Sequence, residues 1–165
     1  MNKWVISDLH LGHNNILQFE GGRLGVECLN VHDHDNILFD RWHETVDYKD
    51  IVYVLGDVAF KADKLKWFDS WTGTKILVRG NHDDKDEELY RKAFTKIHGA
   101  LKYKGVWLTH IPIHPIELRG SGNIHGHVHG NIIDDKRYRA VCIEQNQGFP
   151  EDLEGIITHM KGLVN

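Results

Sequence analysis

Thirteen histidines among 165 residues is several times the usual share. Histidine is the commonest metal-binding side chain and the one that gains or loses a proton near neutral pH, so where these fall decides what chemistry is available. The informative ones sit in short polar pieces: Asp8-Leu9-His10, Gly80-Asn81-His82-Asp83, Thr109-His110 and Gly126-His127-Val128-His129, joined by Gly56-Asp57. A lone Gly-Asp or His-x-His is common in solvated turns. Five such pieces in one chain, each following an apolar run, point to metal binding with acid–base chemistry.

The apolar runs are the elements that must position them. Trp4–Ser7 reads as a buried strand that delivers the first piece. Ile51–Leu55 runs into Gly56-Asp57, and Ile76–Val78 runs through Arg79 into Gly80. Between them, Ile37, Leu38, Trp42 and Val46, then Leu65, Phe68 and Trp71, have helical spacing. Strand–helix–strand alternation predicts an α/β sheet, and such sheets place ligands at the carboxyl ends of their strands. From Ile97 the pattern changes to closely spaced strand-like pieces, Ala100–Tyr103, Val106–Thr109, Asn123–His125 and Arg139–Glu144, which predict a second sheet. Pro150 followed by Leu153, Ile156, Ile157 and Met160 predicts a last helix starting near the proline.

A chain of this length is expected to form one domain over residues 1–165. With 41% hydrophobic and 27% charged residues, no segment is biased enough to read as disordered. A net charge of -4 gives no footprint for gripping a long polyanion, so nucleic acid is not the favoured partner. No signal-like start and no apolar run of membrane length occur, and the cytoplasm is the expected location. Cys28 and Cys142 lie in no Cys-x-x-Cys pair, and no disulfide is expected.

In order, the five pieces match D-x-H, G-D, G-N-H-[DE], H and G-H-x-H, and the chain resembles the calcineurin-like metallophosphoesterase superfamily. Ser7-Asp8-Leu9-His10-Leu11-Gly12-His13-Asn14-Asn15-Ile16 is similar to the opening of its short bacterial and phage members, and Val141-Cys142-Ile143-Glu144 fits their last strand. The chain departs from those members at Gly21-Gly22-Arg23, where an Arg-Pro turn is expected, and at His110-Ile111-Pro112, where an aromatic commonly precedes the proline. The resemblance implies a four-layer αββα sandwich of two facing mixed sheets flanked by helices. It also implies two divalent metal ions, one held by Asp8, His10, Asp57 and His129, the other by Asp57, Asn81, His110 and His127, with Asp57 shared. A donor set of imidazole, carboxylate and amide oxygen suits Mn, Fe, Zn or Ni better than an all-oxygen Mg or Ca site, and Mn²⁺ is the first choice on availability.

The implied activity is hydrolysis of a small phosphate ester by a metal-activated water. His82, beside a ligand but outside both ligand sets, is expected to protonate the leaving alkoxide, with Asp83 orienting its ring. His13, Asn14 and Arg79 are the candidate substrate contacts, although Asn14 also reads as a helix cap and Arg79 as a salt-bridge partner. Arg23 and Arg119 are further arginines that could approach the site. His114 reads as a surface-loop residue, His34 as a surface or helix-face residue, and Asp33 as a cap. A diester is favoured over a monoester because few arginines stand by the motif loops to meet a second negative charge. A monoesterase or protein phosphatase, a nuclease and a non-catalytic metal-binding scaffold are the alternatives.

Overall fold

The computed structural model describes residues 1–119 and 122–164. Two mixed sheets, flanked by helices, form the frame. The first contains β1 (Lys3–Ile6), β2 (Ile51–Val54), β3 (Thr74–Val78), β4 (Lys96–His98) and β9 (Glu151–Asp152), in the order β4-β3-β2-β1-β9. β1 to β4 run parallel, and β9 closes the other edge antiparallel to β1. The second sheet runs β5 (Leu101–Tyr103), β6 (Val106–Thr109), β7 (Asn123–His125), β8 (Tyr138–Ala140). β5 and β6 form a hairpin, and β6, β7 and β8 are parallel.

Alternation along the strands sorts the core into two clusters, because successive side chains leave a strand on opposite faces. Val52, Val54 and Leu77 face α2 (Val31–Thr45), α3 (Ala62–Asp69) and α4 (Glu87–Ala93), where Trp42, Phe68 and Tyr90 are fully buried. Tyr53, Leu55, Ile76 and Val78 face Val106, Leu108 and Ile124 of the second sheet and Leu153, Ile157 and Met160 of α7 (Leu153–Val164). Trp71 packs as expected but lies just past the end of α3, its ring 5.4 Å from that of Trp42. No helix among the described residues is long and apolar enough to cross a membrane.

Local chemistry revises several boundaries. Asn30, not Asp33, caps α2, its Oδ1 accepting from the amides of His32 (2.8 Å) and Asp33 (3.1 Å). Truncating such a cap costs about 1 kcal/mol. The expected strand Arg139–Glu144 is only half strand: β8 ends at Ala140, and Ile143–Asn146 forms a helical turn, α6. Pro150 does not open the last helix, because β9 intervenes. Cys28 and Cys142 are both free.

Candidate metal centre

Each motif loop leaves the carboxyl end of a parallel strand. β1 delivers Asp8 and His10, β2 delivers Asp57 and β3 delivers Asn81; β6 delivers His110, and β7 delivers His127 and His129. Parallel pairing brings these ends to one edge of each sheet, and backbone bonds then sew the loops together. Asp8 N donates to Gly56 O (3.1 Å), His10 N to Asp57 O (3.0 Å) and Gly126 N to His110 O (2.9 Å). Between the sheets, His127 N donates to Asp8 Oδ2 (2.8 Å).

The donor atoms converge in two overlapping groups. Asp8, His10 and His129 each offer one atom within 4.8 Å of the others, and so do Asp8, Asp57 and His110. Asp57 Oδ2 lies between them, 3.7 Å from His10 Nε2 and 3.5 Å from His110 Nε2. Asn81 Oδ1 is 2.8 Å and His127 Nδ1 3.3 Å from His110 Nε2. All seven expected ligands are thus brought together. Asp8, which the resemblance gave to one ion alone, belongs to both groups.

Hydrogen bonding tests whether cations fit. His110 Nδ1 donates to Leu55 O at 2.7 Å, so in a neutral ring Nε2 is a lone pair facing the oxygens of Asn81 and Asp57. His10 is buried with no partner for either ring nitrogen, and Asp8 Oδ1 is buried and unpaired as well. Buried polar groups are rarely left so, and a cation among lone pairs crowded this closely would satisfy them. The residues therefore fit divalent metal ions.

Backbone geometry carries the same message. Asp8 (φ 62), His10 (φ 50), Asp57 (φ 54), His127 (φ 71) and His129 (φ 53) are all left-handed. For non-glycine residues such conformations cost of order 1 kcal/mol each and gather at functional sites. At Gly126 a Cβ would lie 2.0 Å from Ser7 Oγ and 2.5 Å from Asp8 Oδ2, so glycine is required for the two loops to meet.

A supporting layer surrounds the donors. Glu144 Oε1 accepts from His129 Nδ1 at 2.9 Å, which raises the His129 pKa against the opposing effect of burial and aims Nε2 at the site. Arg23, also buried, pairs with Glu144 at 2.8 Å and donates to Asp8 O at 2.6 Å. Burial would raise the Asp8 pKa, but His10, His110 and Ser7 outweigh it and hold the carboxyl below its usual range. Glu144 was not legible as a site residue, its one sequence signal being an acid directly after the apolar run Val141–Ile143.

Other expected roles are redistributed. His82 is exposed at its loop tip, with its amide held by Asp57 Oδ1 (2.9 Å) and its ring 5.9 Å from that of His10. Asp83 does not orient that ring. It points inward, its Oδ2 accepting from Asp57 N (3.0 Å) and Gly80 N (2.8 Å) and its Oδ1 from Val58 N (3.0 Å), so it clamps the loops of Asp57 and Gly80 together. Arg79 turns away to Glu87 (2.6 Å) and lies over the Tyr90 ring. Asn14 is no cap: the side chain accepts from Lys61 Nζ at 3.1 Å, and Asn15 occupies the cap position. His13 stays at the rim, 5.9 Å from the His10 ring. His114 is an exposed cap of the turn Pro115–Leu118, and Arg119 is exposed beside Glu117. His34 is fully buried, Nδ1 3.0 Å from Asp35 Oδ1, and Asp35 in turn accepts from Gly12 N and Lys64 Nζ.

The chain has relatives among known proteins. No protein-family model matches the chain. Over 139 residues it is 32% identical to the uncharacterized protein MJ1445 of Methanocaldococcus jannaschii, covering 80% of this chain and 72% of the relative. It is 31% identical to the gene 66 protein of Mycobacterium phage D29, covering 80% of each. Among solved structures, the protein of unknown function AQ665 from Aquifex aeolicus superposes with a TM-score of 0.71 at 25% identity, covering 96% of this chain and 98% of that one. On identity and coverage together, the chain belongs to the family of MJ1445 and the phage gene 66 proteins.

Proposed function

We propose that this protein is a two-metal phosphoesterase of the calcineurin-like superfamily, with the αββα sandwich of that superfamily. The observation that carries the proposal is the convergence of two donor groups that share Asp8, with the Asp57 oxygen lying between His10 and His110. Asp8, His10 and His129 would hold one divalent ion and Asn81, His110 and His127 the other, with Asp57 common to both. The ions, when bound there, would supply activation of a water and charge neutralisation for a phosphoryl group. The chain's own residues do the rest. His82, free of the donor groups, gives a proton to the departing alkoxide. Glu144 and Arg23 hold His129 and the Asp8 loop in place. The Glu87 and Glu144 carboxylates already occupy Arg79 and Arg23, so neither guanidinium is free to meet the second charge of a monoester, which favours a small diester.

The test is hydrolysis of bis-p-nitrophenyl phosphate and p-nitrophenyl phosphate with Mn²⁺ added to metal-free protein, alongside elemental analysis. Turnover should require metal and favour the diester. Asp57→Asn should lower metal content and reduce turnover by at least 10³-fold, an order of magnitude set by the loss of ion-based charge stabilisation. An active Asp57→Asn protein with both metals bound would refute the assignment.

A further inference from the structure

We propose that Phe60, His13 and Phe19 form a stacking subsite for a planar aromatic arm of the ester, a nucleobase-like group. This deepens the phosphoesterase reading and rests on it for the phosphate.

The three rings form a continuous series leading out from the donors. Phe60 ends the loop that begins at Asp57, and its amide donates to Leu11 O at 2.9 Å, which ties it to the His10 loop. Its half-buried ring lies 5.3 Å from that of His10, 4.9 Å from His82 and 4.0 Å from His13. Next in the series, His13 meets the edge-on ring of Phe19 at 6.1 Å. Phe19 is 70% exposed. It ends the single turn α1 (Ile16–Phe19), whose buried residue is Ile16, so the fold does not need the phenyl group for its core.

A lone exposed phenylalanine is ordinary. One joined through two further rings to a candidate metal ligand and a candidate general acid is a different observation, because the same series that is wet at one end touches the reacting centre at the other. Flat π-faces attract flat π-faces, and Phe, Tyr, Trp and His are the side chains on which bases stack. An aliphatic arm would gain only ordinary contact there. The exposed Phe19 lies one ring beyond His13, 6.1 Å from it, so an arm that reaches it must extend past the phosphate.

Isothermal titration of the metal-loaded protein with adenosine 5′-monophosphate and with ribose 5-phosphate separates the base from the phosphate. The nucleotide should bind about 5- to 150-fold more tightly, the span that corresponds to stacking one base on an aromatic side chain. Phe19→Ala, at an exposed position, should remove at least half of that preference on a logarithmic scale and leave ribose 5-phosphate binding unchanged; Phe60→Leu should remove more. Equal affinity for the two ligands in the unaltered protein, or a preference that survives both substitutions, overturns the subsite alone. Metal-dependent turnover of bis-p-nitrophenyl phosphate, measured alongside, tests the phosphoesterase reading by itself: turnover without a nucleotide preference overturns the subsite alone, and no metal-dependent turnover overturns both.

Discussion

His82 is held by its backbone, not by its ring: the amide is fixed on Asp57 Oδ1, while the side chain is exposed beside Phe60. A group placed so can transfer a proton without contributing to metal affinity. His82→Ala should therefore keep full metal content. It should lose about 10²–10⁴-fold in rate on alkyl esters, the usual worth of general acid catalysis, and much less on nitrophenyl esters, whose leaving group departs without a proton. Equal losses on both ester types would remove the role. The candidate donors were legible in the sequence because their residue types sit at the ends of apolar runs, where a strand must deposit them. Side-chain direction was not legible. Asp83 adjoins His82 yet turns inward to three amides, and burial pushes its pKa up despite them. Arg79 adjoins Gly80 yet follows Glu87, and His34, one position from a helix-cap candidate, is buried against Asp35. Each of these is decided by a partner distant in sequence or by which face of the backbone the residue leaves.

At the scale of elements, long apolar runs and helical stripes were readable, whereas β4 and β9, three and two residues long, carry too few side chains to show a period. Sequence pattern also hid what joins α3 to β3. Lys75, in β3, is buried and donates Nζ to the carbonyls of Asp69 (2.9 Å) and Trp71 (2.6 Å), where the end of α3 concentrates negative partial charge. Burial lowers its pKa from 10.5 to about 8, with Asp69 opposing the shift. A lysine whose folded pKa lies below its unfolded value binds fewer protons when folded across that interval. Stability should therefore rise with pH between about 8 and 10.5, contrary to a lysine that gains an acidic partner. Denaturant midpoints across this range should show the rise in the natural protein. The difference curve against Lys75→Met should isolate it, and parallel curves for the two proteins would contradict the coupling. The cost of the substitution should grow with pH over the same interval, because the Trp71 carbonyl loses a buried donor at every pH while only the charged lysine suffers from burial.

For the whole molecule, donors come from loops of both sheets, and Asp8 meets His127 from 119 positions away. Ions that bind only the folded arrangement should stabilise all of it, by about 2.7 kcal/mol at a hundred times the dissociation constant. For a chain of this size that corresponds to a rise in Tm of roughly 5–11 °C. Scanning calorimetry of chelated and Mn²⁺-loaded protein measures the shift, which should collapse in Asp57→Asn; an unchanged Tm with saturating metal would contradict a site built from both sheets. The pairing of β9 with β1 has a separate consequence in the order of synthesis. A ribosome releases Asp8, His10, Asp57 and Asn81 long before His127 and His129, and β1 emerges well before the short strand that will cover its outer edge. During that interval the nascent chain displays half a donor set beside a strand with unpaired amides and carbonyls, the kind of edge on which chains adhere to one another. A centre that needs donors from both halves of the chain is consequently completed late in synthesis, and a chain cut short before residue 151 lacks the strand that covers the outer edge of β1, which leaves that edge exposed to pairing with its neighbours.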